Sequence, residues 1–227
     1  MPYYYDQTYF LVLIALVITL IAQLNISATY NRYKKVPNSR GLTGGDVARM
    51  MLEQAGISDV SVEMTGGNLT DHYSPSEHVL RLSADVIGGT SVAAVGIAAH
   101  ECGHAIQHKE NYGPLFLRSA SVPLAKAGGW IAIPLIVLGF WLELMGLVHI
   151  GIIFYSFVVA FELITLPVEF NASRRALVAL ENGGILSKEE LKGSRKVLSA
   201  AAFTYVAALL SSLLQLLRFV ALARRRR

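Results

Sequence analysis

Charged residues make up only 16% of this 227-residue chain, against 53% apolar residues. That balance lies outside the range of soluble globular domains, so the bilayer is the expected solvent for much of the chain. Cysteine is nearly absent. The single Cys102 excludes an internal disulfide and a cysteine-rich structural metal site, and a small buried filler is its expected role. The opening MPYYYDQ contains no Lys or Arg, whereas a secretory signal peptide needs a basic leader and a small-residue cleavage site. An uncleaved anchor is therefore expected. Basic–aromatic interleaving and nucleic-acid motifs are also missing, which excludes nucleic acid as a partner. The net charge of +4 and the terminal run of four arginines fit anionic lipid headgroups better. No internal repeat or low-complexity tract is present.

What the chain has instead is long apolar segments. Residues 9–30 (YFLVLIALVITLIAQLNISATY) carry no charge over more than the roughly 20 residues that cross a hydrocarbon core. Residues 130–166 stay apolar for too long to form one span and predict two helices joined by a tight turn near Gly146 to Gly151. The last segment, 200–223, is long enough to cross, but Gln215 and Arg218 also suit an amphipathic interfacial helix. The expected organisation is an anchor over 1–30, a polar region over 31–129, a transmembrane hairpin over 130–167, a second polar part over 168–198 and a C-terminal hydrophobic helix with a basic tail over 199–227. This is a mainly α membrane protein with three to four transmembrane helices. A hairpin puts both polar regions on one side of the bilayer. They hold nine and six Lys and Arg, against five from Arg218 onward, which favours a cytoplasmic location for them, although the tail votes the other way.

Within the first polar region, Thr43 is placed to cap a helix from about Gly45 to Gln54, with Asp46 three residues on supplying a short relative of the capping box and Gly56 ending it. DVSVEM alternates like a strand, residues 66–77 are turn-rich, and HVLRLS (78–83) reads as a second strand with His78, Leu80 and Leu82 on one face. From about Ser91 a helix runs through GIAAHECGHAIQH without a proline.

That helix carries His-Glu-x-x-His, a pattern that average residue usage produces in fewer than about one chain in a hundred of this length. His100 and His104, four residues apart, face the same way and can both reach one Zn²⁺, while Glu101 sits beside the position where water would bind. Ala98, Ala99, Gly103 and Ala105 permit close packing around them. A catalytic zinc needs a third protein ligand. His108 shares the stripe, but three successive turns cannot curl onto one ion. His149 falls in the expected hairpin turn, His72 and His78 in turn and strand, and Glu143 and Glu162 in or at the membrane segments. In PVEFNASRRAL (167–177), Pro167 suits a helix start or a kink and Glu169 can point at the ion. A glutamate in a first turn is equally an ordinary complement to the helix dipole.

The combination of LTGGDVARMMLEQAGI, LTDHYSP, VLRLSADV, SVAAVGIAAHECGHAIQH and PVEFNASRRAL resembles the YugP-type membrane zinc metallopeptidases of prokaryotes over nearly the whole chain. The resemblance implies a zincin-like α+β catalytic region with a small sheet. It also implies a Zn²⁺-dependent endopeptidase with His100 and His104 as ligands and Glu101 as catalytic base. The layout is also similar to that of the membrane-integrated heat-shock metalloproteases, and by that likeness Glu169 is the third ligand. Where glutamate zincins commonly carry Asp four residues after that ligand, this chain has Ser173, with Asn171 nearby. Either could orient a ligand histidine, or neither.

Donors for a developing oxyanion are expected among Tyr73, His72, Arg174 and Arg175, with Tyr73 and His72 first because their turn leads toward the zinc helix. Their structural alternatives are an Asx-type turn at Asp71 to Pro75 and, for the arginines, headgroup contacts. Residues 78–83 could add substrate backbone at a strand edge, favouring unfolded or membrane polypeptides as partners. Rival functions are a non-catalytic zinc-held membrane scaffold and a zinc hydrolase of a non-peptide substrate. An intramembrane protease fits less well, since barely ten apolar residues precede His100 and no later Asp ligand follows.

Overall fold

The computed structural model describes residues 8–225. The leader MPYYYDQ, which carries the expectation of an uncleaved anchor, and the last two tail arginines lie outside the described residues. The elements run α1 (Tyr9–Tyr33), α2 (Gly44–Gln54), β1 (Ser61–Thr65), β2 (His72–Ser74), β3 (Val79–Ser83), α3 (Ala84–Ile87), α4 (Val92–Lys109), α5 (Gly113–Trp141), α6 (Met145–Asn182) and α7 (Lys188–Arg225). The protein is mainly helical with one small sheet, and α1, α5, α6 and α7 are each long and apolar enough to cross a membrane.

Two compact units divide the chain. The first joins the residues up to Gln23, Phe116–Leu166 and those from Phe203 onward. Its helices leave large apolar side chains exposed, among them Phe10, Leu16, Trp130 and Trp141, as lipid-facing surface requires. The α5–α6 turn is at residues 142–144, earlier than expected, with Glu143 at φ 58°. Gly151 and His149 therefore lie inside α6. A Cβ on Gly151 would come within 2.9 Å of the Ala132 carbonyl oxygen, and one on Gly139 within 2.8 Å of the Val148 nitrogen. These glycines let two membrane helices approach closely, which explains why their helix-breaking propensity does not make a turn. The Ser212 hydroxyl donates to the Glu162 carboxylate, so this deep acid pairs within its own unit.

The second unit comprises Leu24–Leu115 and Pro167–Ala202. The Thr43 hydroxyl accepts from the Asp46 N–H at 3.0 Å and the Asp46 carboxylate accepts from the Thr43 N–H, also at 3.0 Å, which starts α2 as its sequence predicts. Gly56, at φ 62°, takes the left-handed conformation just past its end. Ser91 caps α4 by accepting from the Ala94 N–H. The sheet order is β1-β3-β2, with β1 parallel and β2 antiparallel to β3. His72–Ser74, expected as turn, is thus a short edge strand. Leu80 and Leu82 are fully buried, but Val79 and Ser83 on the opposite face are buried as well, and exposed His78 precedes the strand. β3 is central and both of its edges are paired, so it cannot add a substrate strand. That expectation is corrected: the outer strands are β1 and β2, and β2 runs beside α4. Val47, Met51, Leu80, Leu82, Val95 and Leu180 belong to one hydrophobic core that holds α2, the sheet, α4 and the polar half of α6 together.

Pro167 neither starts nor ends a helix. It lies inside α6, which runs unbroken from apolar sequence through Glu169 and Ser173. α7 likewise begins in polar sequence at Lys188 and continues into the last apolar segment.

Candidate metal centre

The second unit brings α4 and the polar half of α6 into very close contact. A Cβ on Gly103 would lie 2.6 Å from the Ala172 carbonyl oxygen, so glycine between the two histidines is what lets these backbones meet. The contact puts His100 and His104 opposite Glu169. His100 Nε2 is 3.2 Å and His104 Nε2 3.6 Å from Glu169 Oε2, and the ligand atoms of the three side chains all lie within 4.8 Å of one another. Two ligands about 2.0–2.1 Å from a tetrahedral Zn²⁺ are about 3.3–3.4 Å apart, and the two observed separations straddle that spacing.

The hydrogen bonds behind the rings sharpen the fit. Gln107, fully buried, donates from Nε2 to the Val168 carbonyl and to Asn171 Oδ1, each at 2.9 Å. Its Oε1 is thereby turned toward His104 Nδ1 at 3.0 Å, which makes that nitrogen the N–H donor. A neutral His104 then presents a lone pair at Nε2 to a carboxylate oxygen. Two acceptors face each other, an arrangement that a proton or a cation between them resolves. The ionisation tendencies agree. Burial disfavours charge on His104, yet the hydrogen bond and charge of Glu169, with the charge of Glu101, outweigh it and raise its pKa above the ordinary histidine value. Burial alone would raise Glu169, but its contacts with both imidazoles hold it far below the usual carboxylate range. His100 Nδ1 is 3.1 Å from Ser173 Oγ, so Ser173 occupies the orienting place. Asn171 serves the other ring, through Gln107, and Arg175 Nε holds Asn171 Oδ1 at 2.7 Å while Arg175 Nη2 pairs with Glu110 at 2.7 Å. The donor set of two imidazoles and a carboxylate, with the His104 tautomer fixed by Gln107 and Ser173 beside His100 Nδ1, fits a divalent zinc ion.

Glu101 is buried and stands outside this set. Its Oε2 accepts the backbone N–H of Tyr73 at 3.1 Å, which ties edge strand β2 to α4. The Tyr73 hydroxyl is 2.8 Å from His108 Nδ1, and burial raises its pKa. His72 is exposed, with Nδ1 2.8 Å from the Thr70 carbonyl oxygen, and Arg174 is exposed. His78 pairs with Asp59 at 2.6 Å. Cys102 is fully buried and its thiol pKa is pushed far up by burial, consistent with a packing role. Gln107 was not anticipated from the sequence. Its signal was there, three residues beyond His104 and seven beyond His100, and so on the same helical stripe.

Comparison with known proteins bears on nearly the whole chain. A family model described as "Putative neutral zinc metallopeptidase" matches residues 8–224. A Bacillus subtilis (strain 168) protein named "Putative membrane protease YugP" is 46% identical over 211 residues, which cover 93% of this chain and 94% of that protein. No solved structure matches the chain significantly. On the extent of both matches, the chain belongs to the family that this model describes.

Proposed function

We propose that the protein is a membrane zinc endopeptidase in which His100, His104 and Glu169 hold the metal and Glu101 is the general base. The observation that carries this reading is the convergence of His100 Nε2, His104 Nε2 and Glu169 Oε2 beside a carboxylate that is not part of the donor set. Zinc bound there would polarise a scissile carbonyl and acidify a water. Glu101, fixed by the Tyr73 N–H, takes a proton from the attacking water and returns it to the leaving amine. An unligated, anchored carboxylate beside the ligands has no use in a purely structural site, which favours hydrolysis over a scaffold. Gln107 keeps His104 in the tautomer whose Nε2 is free for the metal, and Ser173, by accepting from His100 Nδ1–H, would do the same for the other ring.

β2 is an outer strand next to Glu101, and an extended polypeptide adding to its edge would bring a peptide bond past the base. Backbone recognition of that kind suits unfolded or loosely folded polypeptides near the bilayer. His72 on the same strand is the candidate oxyanion donor. With Nδ1 on the Thr70 carbonyl, it can donate from Nε2 as an imidazolium. Tyr73 acts mainly through its main chain, its hydroxyl being engaged with His108. The excess of Lys and Arg in the polar regions favours the cytoplasmic side for the catalytic unit, and the family resemblance supports a plasma membrane.

The test is Glu101→Gln in the full-length protein purified in detergent. Zinc content should stay near that of the unaltered protein while cleavage of an unfolded protein falls by roughly 10²–10⁴-fold. Zinc bound by both proteins with equal cleavage would remove Glu101 from the mechanism, and absence of zinc from both would remove the metal centre.

A further inference from the structure

Among the cavities of the second unit, one of about 510 Å³ lies between the last turns of α1 and residues 195–200 of α7. Its wall carries three cations, Arg32, Arg195 and Lys196, and no carboxylate. Among the described residues none of the three is in an ion pair, whereas nearby Lys34 pairs with Asp85 and Lys192 with Glu189. The cavity follows from two stripes at helical spacing, with Asn25, Thr29 and Arg32 along α1 and Arg195 and Ser199 along α7. Small residues on both stripes, Ala28, Ser199 and Ala200, leave the space open. Gly193 fixes one side: a Cβ there would lie 3.0 Å from the Tyr33 ring, over which the Arg32 guanidinium sits at 5.6 Å.

The level of the cavity along the helices matters. The apolar run of α1 gives way to polar sequence after Ile26, and that of α7 begins at Ala200. Both helices therefore line the cavity where a span meets the headgroup layer. Three cations on one wall repel one another unless an anion lies between them. A phosphodiester supplies one charge and several acceptor oxygens, matching two guanidinium forks, an ammonium and the hydroxyls of Thr29 and Ser199. The volume falls within the usual 300–1,000 Å³ range for ligand pockets, and a choline or ethanolamine headgroup would add a further cation to an already cationic wall.

We propose that this cavity binds the phosphate of an anionic glycerophospholipid, seating one such lipid between α1 and α7. The experiment is native mass spectrometry of the full-length protein in detergent, titrated with phosphatidylglycerol or phosphatidylcholine. One phosphatidylglycerol should be retained per chain in preference to phosphatidylcholine. Arg195→Gln/Lys196→Gln should weaken that binding about 30-fold, since each cation near an anionic headgroup layer contributes about a factor of five. Ser199→Leu, which fills the cavity and keeps every charge, should also lose the lipid. Lys188→Gln/Lys192→Gln, equal in charge change but outside the cavity, should not. Equal loss in both charge variants would mean diffuse attraction, and retention by Ser199→Leu would mean the cavity is not the site. Displacement of the lipid by excess inorganic phosphate would make it a free-anion site. Each of these three results overturns the proposal.

Discussion

Replacing Gln107 with leucine should damage zinc binding far more than folding. Gln107 Oε1 is the acceptor for His104 Nδ1–H at 3.0 Å, and both groups are buried, so leucine leaves that N–H without a partner. An unsatisfied buried donor costs about 1–3 kcal/mol. The two metal states do not share the penalty equally. With zinc on Nε2 the tautomer is fixed and the orphaned Nδ1–H persists, whereas without metal the proton can move to Nε2 and face Glu169, 3.6 Å away. Most of the 1–3 kcal/mol therefore falls on the loaded state, about a 5- to 150-fold loss of zinc affinity at about 1.4 kcal/mol per decade. Gln107→Glu separates orientation from packing. It keeps an acceptor for His104 but sets a carboxylate against the Val168 carbonyl and Asn171 Oδ1, where Gln107 Nε2 now donates. That variant should lose thermal stability while its zinc affinity falls less than the leucine variant's. The assay is zinc competition against a chromophoric chelator with the full-length protein in detergent, with thermal unfolding in parallel. Wild-type zinc affinity in Gln107→Leu, alongside lost binding in His104→Ala, would refute the orienting role.

Gly103→Val should separate α4 from α6, because the new Cβ starts 2.6 Å from the Ala172 carbonyl oxygen. Overpacking of this kind costs about 1–3 kcal/mol, and zinc content measured by atomic absorption should fall with it. Tyr73→Phe keeps the N–H that holds Glu101, so kcat on an unfolded protein should stay within about tenfold of wild type; a 10²–10³-fold drop at constant KM would make the hydroxyl an oxyanion donor. Thr43→Ala removes the cap of α2 and should cost about 1 kcal/mol, seen as a fall of about 2–4 °C in the unfolding midpoint with unchanged kcat/KM.

Much of this protein was legible in its sequence because the signals are local. Thr43 and Asp46 cap α2 through contacts three residues apart, and the apolar runs mark their helices by composition alone. His100, Glu101 and His104 fall on one helix by spacing, and the place four residues after Glu169 points to Ser173, with Asn171 nearby, to orient a histidine. What the sequence alone left undecided depends on which elements meet. Gly151 has the composition of a turn, but the proximity of Ala132 in α5 makes it a packing residue inside α6. HVLRLS has the alternation of a half-exposed strand, and only the sheet order makes it central and closes both its edges. Gln107 looks like an ordinary polar helix residue until α6 supplies Val168 and Asn171 for its amide to bond. The chemistry of the candidate site is thus written in residue identities at short spacing. The approach of Glu169 to the two imidazoles, 65 or more positions away along the chain, is decided by the contact of α4 with α6 at Gly103, which no local pattern encodes.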